Sequence, residues 1–127
     1  MGLSAIVAVA VGAAAGAWLR WVLGMALNPL FPTVPLGTLA ANLAGGYLMG
    51  LAMTYFMGHG HIPAEWRLMI MTGFLGALTT FSTFSAEMVT LFSRQQLSWA
   101  FGAIFLHVAG SLTMTALGIL TMKWLRH

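Results

Sequence analysis

The residues that could do chemistry cluster between Gly73 and Ser85, where the chain reads Gly-Phe-Leu-Gly-Ala-Leu-Thr-Thr-Phe-Ser-Thr-Phe-Ser. Five hydroxyls and two glycines in thirteen residues sit inside an apolar segment running from about Trp66 to Phe92. A segment of that length can cross a hydrocarbon core of roughly 30 Å. Glycine costs about 1 kcal/mol relative to alanine in a helix interior, and Ser and Thr compete for backbone hydrogen bonds. The spacing therefore predicts a helix broken near its centre. Broken backbone at membrane depth is tolerated where protein buries it or where it lines a cavity. Its freed carbonyls and amides can then bind an ion.

Other polar groups fall at helical spacing around this stretch. Thr38 and Asn42 are four apart and share a face. His107, Ser111 and Thr115 make a track at i, i+4 and i+8. After the break, Phe81, Phe84 and Met88 form one stripe, and Thr80, Thr83 and Glu87 an adjacent polar one. Two readings stay open for each. Asn42 is an interhelical hydrogen-bond bridge or an NH2 donor aimed at an anion. The histidine track is interhelical bonding or a solvating path. Arg20 snorkels to the interface, or stands as a cation at a pore mouth. Glu87 faces a cavity or a partner, because a lipid-facing carboxylate is expensive. His59 and His61 form a weak metal pair on what reads as a solvated loop.

The elements that must position these groups follow from composition. The chain has 127 residues, 60% hydrophobic and 6% charged, without cysteine. Such a balance predicts an all-α integral membrane protein of one domain, residues 1–127, embedded in a lipid bilayer. It leaves no disulfide framework and no thiolate. The five basic side chains are dispersed, so no nucleic-acid partner is expected. No Ser-His-acid set stands at a convincing site, so an enzyme is not expected either. Four transmembrane helices are predicted, over about Leu3–Leu27, Gly37–Met57, Trp66–Phe92 and Trp99–Leu125. Prolines 29, 32 and 35 fix the first connection, Pro63 is placed to be the first residue of the third helix, and Lys123, Arg126 and His127 end the chain at an interface. Gly12/Gly16 and Gly46/Gly50 provide close-packing surfaces. The first segment reads as a retained span, since it lacks a basic leader region.

Four spans put Arg67, Lys123 and Arg126 on one side and Arg20 and Arg94 on the other. That near-balance does not fix an orientation. It suggests a dual-topology, antiparallel homodimer with two copies of the break brought together. The polar inventory is hydroxyls, one amide, one Arg and ring edges. Hydroxyls and NH2 donate to anions, and the edge of Phe carries partial positive charge. A small, strongly hydrated anion fits this set; a large organic cation would want carboxylates and ring faces.

These residues resemble the Fluc (CrcB-type) family of fluoride channels along essentially the whole chain. The resemblance rests on Gly12-Ala13-Ala14-Ala15-Gly16-Ala17-Trp18-Leu19-Arg20, on Gly37-Thr38 with Asn42 and Gly45, and on the Gly73–Ser85 stretch followed by Glu87. It implies a passive, fluoride-selective channel in the bacterial inner (plasma) membrane that exports fluoride from the cytoplasm and confers resistance. It further implies two pores per antiparallel homodimer. Phe81 and Phe84 are then the ring-edge ligands and Asn42 a pore amide. Ser82, Thr83, Ser111 and Thr115 form the polar track, with Thr38 near it, and Arg20 lies in the vestibule. A structural sodium ion at the dimer interface would be held by the backbone carbonyls of Gly76 and Thr79; no organic cofactor is implied.

Two other readings bear on these residues. A proton-coupled small multidrug-type transporter shares the size and dual topology but relies on a carboxylate in the first helix, which here has none. A packing subunit without transport would need fewer hydroxyls than three helices carry.

Overall fold

The computed structural model describes residues 2–126; the terminal His127 lies outside them. All regular structure in this range is helical. Helix α1 spans Leu3–Leu27 and α2 spans Leu36–Met57. The third span, Ala64–Ser93, is composite. It runs through α3 (Ala64–Arg67), a π-helical stretch (Leu68–Leu75) and α4 (Gly76–Leu78), then resumes as α5 (Ser82–Ser93). Helix α6 spans Leu97–Leu125. The four spans are 28, 22, 30 and 29 residues long, counting the short 3-10 turn after α1. About 20 residues suffice to cross a bilayer. The chain is a multi-pass membrane protein, and the predicted spans agree with the observed ones to within three residues.

One boundary differs. Pro63 is not the first helical residue: its φ of −54° and ψ of 144° make it the cap, and the helix starts at Ala64. The first connection is tied by a side chain rather than by its prolines alone. Asn28 Oδ1 accepts the Gly37 N–H at 2.7 Å and the Thr38 N–H at 3.3 Å. It thereby satisfies donors at the start of α2 that no helical carbonyl can reach. At the other end of α2, His59 Nδ1–H donates to the Tyr55 carbonyl at 2.7 Å and Arg126 donates to the Thr54 carbonyl at 3.2 Å. His59 therefore acts as a helix-end donor. No group of three or more metal-capable side chains occurs among the described residues.

Two pairings build the bundle: α1 lies against the π-helical stretch and α2 against α6. Both pairings are made of backbone meeting backbone. A Cβ at Gly12 would land on the Met69 carbonyl oxygen, and one at Gly16 on that of Phe74. On the other pair, a Cβ at Gly50 would land on the Thr115 carbonyl and one at Gly118 on that of Tyr47. Lipid tails are as apolar as leucine, so contact of this kind, rather than escape from water, holds helices together in a bilayer. Large apolar side chains such as Val7, Val11, Phe105 and Leu112 lie on the outside, where lipid is the solvent.

The buried side chains form two clusters, one on each side of residues 79–81. Leu75 and Leu78 pack with Ala41 on one side; Phe84, Met88 and Leu91 pack with Val34, Ala100 and Ala103 on the other. Replacing Gly50 or Gly118 by Ala should cost about 1–3 kcal/mol, the usual penalty for overpacking an interior that cannot yield. Thermal unfolding in detergent should show it, with Gly60→Ala, where a Cβ meets open space, as the silent control.

Candidate ion site

Residues 79–81 leave the helix where the two clusters meet. Thr79 is extended, with φ −82° and ψ 155°, although its N–H still donates to the Leu75 carbonyl at 3.1 Å. Beyond it the helical ladder is replaced by side chains. The Thr80 N–H donates to Asn42 Oδ1 at 2.8 Å, and Asn42 Nδ2 returns a bond to the Thr80 carbonyl at 3.1 Å. The Thr83 N–H donates to Thr80 Oγ1 at 3.1 Å, capping α5. Arg20 Nε donates to the Ala77 carbonyl at 3.0 Å, and its Nη1 lies 3.5 Å from Thr83 Oγ1. A cation at the end of α4 also suits the negative end of the helix dipole.

This exchange has a consequence for the carbonyls. In an unbroken helix the Thr80 N–H would serve Gly76 and the Thr83 N–H would serve Thr79. Both donors are used elsewhere. The Gly76 and Thr79 carbonyls therefore lack their helical partners, and Gly76 stands on the exposed face of the protomer.

A cavity of about 320 Å³ opens beside the interruption. Of the residues singled out by sequence, it gathers Asn42, Thr79, Thr80, Phe81, Phe84, His107 and Ser111; Val108 and Leu112 complete its apolar wall. The Phe81 and Phe84 rings are 5.7 Å apart at 60°, edge towards face. Their environments are opposite: Phe84 is 6% exposed and Phe81 76%. The predicted Phe stripe is therefore split, because Phe81 precedes α5 while Phe84 and Met88 lie on its buried face. Phe84 also packs on the His107 ring, with centroids 4.4 Å apart.

Asn42 is the busiest group here. Its second N–H lies 3.0 Å from His107 Nδ1, so that nitrogen accepts and the ring carries its proton on Nε2. Within the protomer the amide thus bridges α2, the interruption and α6. The bridging reading of Asn42 holds, and any donation to an anion must share or displace these bonds.

The remaining sequence-selected residues stand outside the cavity. Thr38 donates to Glu87 Oε2 at 2.6 Å. Thr115 donates to the Gly46 carbonyl at 3.0 Å, so its proton is used in packing α6 on α2. Arg20 is committed to Ala77 and Thr83, which neither snorkelling nor a free pore-mouth cation anticipates. Ser82 is exposed and Thr83 half-buried at the start of α5. Glu87 Oε1 and His107 Nε2 are buried with no hydrogen-bond partner among the described residues. Sequence reasoning missed the bonds from Arg20 to Ala77 and from Asn42 to Thr80. They join residues 57 and 38 positions apart, and no local spacing signals them.

Asn42→Ala should strip Thr80 of both backbone partners. A buried polar group left unpaired costs about 1–3 kcal/mol. The expected result is a lower melting temperature with amide exchange accelerated at residues 80–83, read by hydrogen–deuterium exchange mass spectrometry. Exchange unchanged there would mean that Asn42 does not hold the interruption.

Comparison with known proteins gives this geometry a family. The sequence profile described as "CrcB-like protein, Camphor Resistance (CrcB)" matches residues 7–119. A protein of Nitrosospira multiformis named "Fluoride-specific ion channel FluC" is 65% identical over 125 residues, 98% of each chain. Proteins of the same name from Tolumonas auensis and Pseudomonas aeruginosa are 57% and 58% identical, covering 98% and 94% of each chain. With the profile spanning most of its length and relatives this similar from end to end, the chain belongs to the CrcB family.

Proposed function

We propose that this protein is a fluoride-selective passive channel of the bacterial inner membrane, letting fluoride leave the cytoplasm down its gradient. The observation that carries the reading is the cavity in which the Asn42 amide and the Ser111 hydroxyl meet the Phe81 and Phe84 rings beside an interrupted helix. A small anion sheds water only where compact donors replace it, since an unpaired charge in an apolar medium is very costly. The Ser111 hydroxyl makes no hydrogen bond to another described residue and is the readiest donor. The ring edges add partial positive charge without a fixed cation that would trap the ion. Ser82 and Thr83, at the start of α5, extend the donor path, with Thr38 and Thr115 close to it. Arg20 adds positive potential at the vestibule end while it holds Ala77 and Thr83. The names of the relatives support fluoride as the ion.

The working unit in this reading is an antiparallel homodimer with two pores. Its support is the near-equal charge on the two sides and the large exposure of Phe81, which would complete a pore against a second copy. A structural sodium ion fits the same arrangement. The Gly76 and Thr79 carbonyls have lost their helical donors, and Gly76 is exposed on the protomer face. Backbone carbonyls are hard oxygen ligands suited to such a cation. Bound there, sodium would supply a counter-charge to the carbonyl dipoles of the two interruptions.

Fluoride efflux from liposomes, followed with an electrode and run beside chloride efflux, tests the function. Rapid fluoride release without chloride release is expected. Phe81→Ile and Phe84→Ile should each suppress fluoride flux while leaving assembly intact on size-exclusion chromatography. Undiminished flux in both would remove the rings from the pore.

A further inference from the structure

A second cavity, about 610 Å³, lies away from the ion site, on the outer surface between α1 and the start of the third span. It is a groove with a direction. Leu3 and Ser4, then Val7 and Ala8, then Val11 are successive turns of α1; Glu65 and Trp66, then Met69, are successive turns opposite. From Ser4 to Val11 the groove follows the helix for about 10 Å. Its outer end is polar and its inner end wholly apolar. The polar end stands at the termini of two spans, which is the depth of the lipid headgroups, and carries an exposed tryptophan of the interfacial kind.

Glu65 gives this end its specificity. It is one of only two acids in the chain, and the other, Glu87, is committed to Thr38 inside the bundle. The Ser4 hydroxyl donates to Glu65 Oε2 at 2.9 Å, which fixes the carboxylate across the groove mouth. No Lys, Arg or His side chain among the described residues pairs with it. The groove thus presents, in order, an oriented anion, an amphipathic ring and an apolar trough.

We propose that this groove binds an aminophospholipid, with one acyl chain along Val7, Val11 and Met69 and its primary ammonium on Glu65. The polarity of the groove has the order of the lipid itself, and the charges are complementary. A primary ammonium can donate hydrogen bonds to the carboxylate; the methylated ammonium of a choline lipid cannot and is bulkier. The inference stands apart from the fluoride reading, since none of these residues lines the ion cavity.

Tryptophan quenching by brominated lipids provides the test. The protein is placed in phosphatidylcholine vesicles containing either brominated phosphatidylethanolamine or brominated phosphatidylcholine. The Trp66 contribution is the difference between the unchanged protein and Trp66→Phe. The ethanolamine lipid should be preferred by about two- to fivefold, the range an exposed ion pair supplies. Glu65→Gln, which still accepts from Ser4, should abolish the preference, and Glu65→Asp should retain part of it. Equal quenching by the two lipids, or a preference that survives Glu65→Gln, overturns the proposal. Quenching by neither lipid gives the groove to a second copy of the chain and overturns it equally.

Discussion

Everything in this molecule depends on how three residues of non-helical backbone are satisfied where there is no water. Each unpaired amide or carbonyl in hydrocarbon costs several kcal/mol, so a helix cannot simply stop inside a membrane. Between Leu78 and Ser82 the missing ladder is rebuilt from three side chains. Asn42 takes both backbone groups of Thr80, Thr80 Oγ1 takes the Thr83 amide, and Arg20 takes the Ala77 carbonyl. The polar residues that looked available for chemistry are first committed to holding the chain open. What remains uncommitted is correspondingly informative: the carbonyls of Gly76, Leu78 and Thr79, the Ser111 hydroxyl and two ring edges.

That repair works only if the helices approach closely enough for short side chains to reach across. An asparagine amide extends only a few ångströms from its own backbone. The glycines set the distance. Gly45 leaves room for the Thr79 methyl, which a Cβ there would strike. Gly46, Gly50 and Gly118 let α2 and α6 touch, which brings Asn42 within 3.0 Å of His107. Gly12 and Gly16 seat α1 on the carbonyls of the π-helical stretch and thereby carry Arg20 to Ala77. Packing and polar satisfaction are one constraint here, since loosening either would strand the other.

Much of this architecture is legible in the amino-acid order, because lipid imposes strong rules. Long apolar runs mark the four spans to within three residues, and prolines mark the first two of the three connections. The small-residue spacings mark faces that do pack. Partner identity is not legible. Nothing near Arg20 announces Ala77, and nothing near Asn42 announces Thr80, since both bonds depend on tertiary registration. The π-helical stretch Leu68–Leu75 carries no sequence signal apart from Gly73, whose Cβ would press on the Val9 carbonyl. Helical periodicity also misled at Phe81. Counting by 3.6 joins it to Phe84 and Met88, but periodicity assumes a helix, and Phe81 precedes the one that holds the other two.

The split between the two rings bears on what must cover the cavity. Phe84 lies in the protomer core and Phe81 on its surface, yet the two rings touch and line the same space. One side of that space is therefore open at the protomer face. Lipid chains would close it poorly, because they offer nothing to the Asn42 and Ser111 polar atoms or to the free Gly76 carbonyl. A second copy can offer polar groups, and on the proposed reading an inverted copy would bring its own interruption towards the first. The five basic side chains are few and dispersed along the chain, which leaves little bias against inverted insertion. The exposed ring and the unpaired carbonyls, both from the one interruption, and the weak charge bias spread over the rest of the chain are the features on which the proposed inverted pair rests.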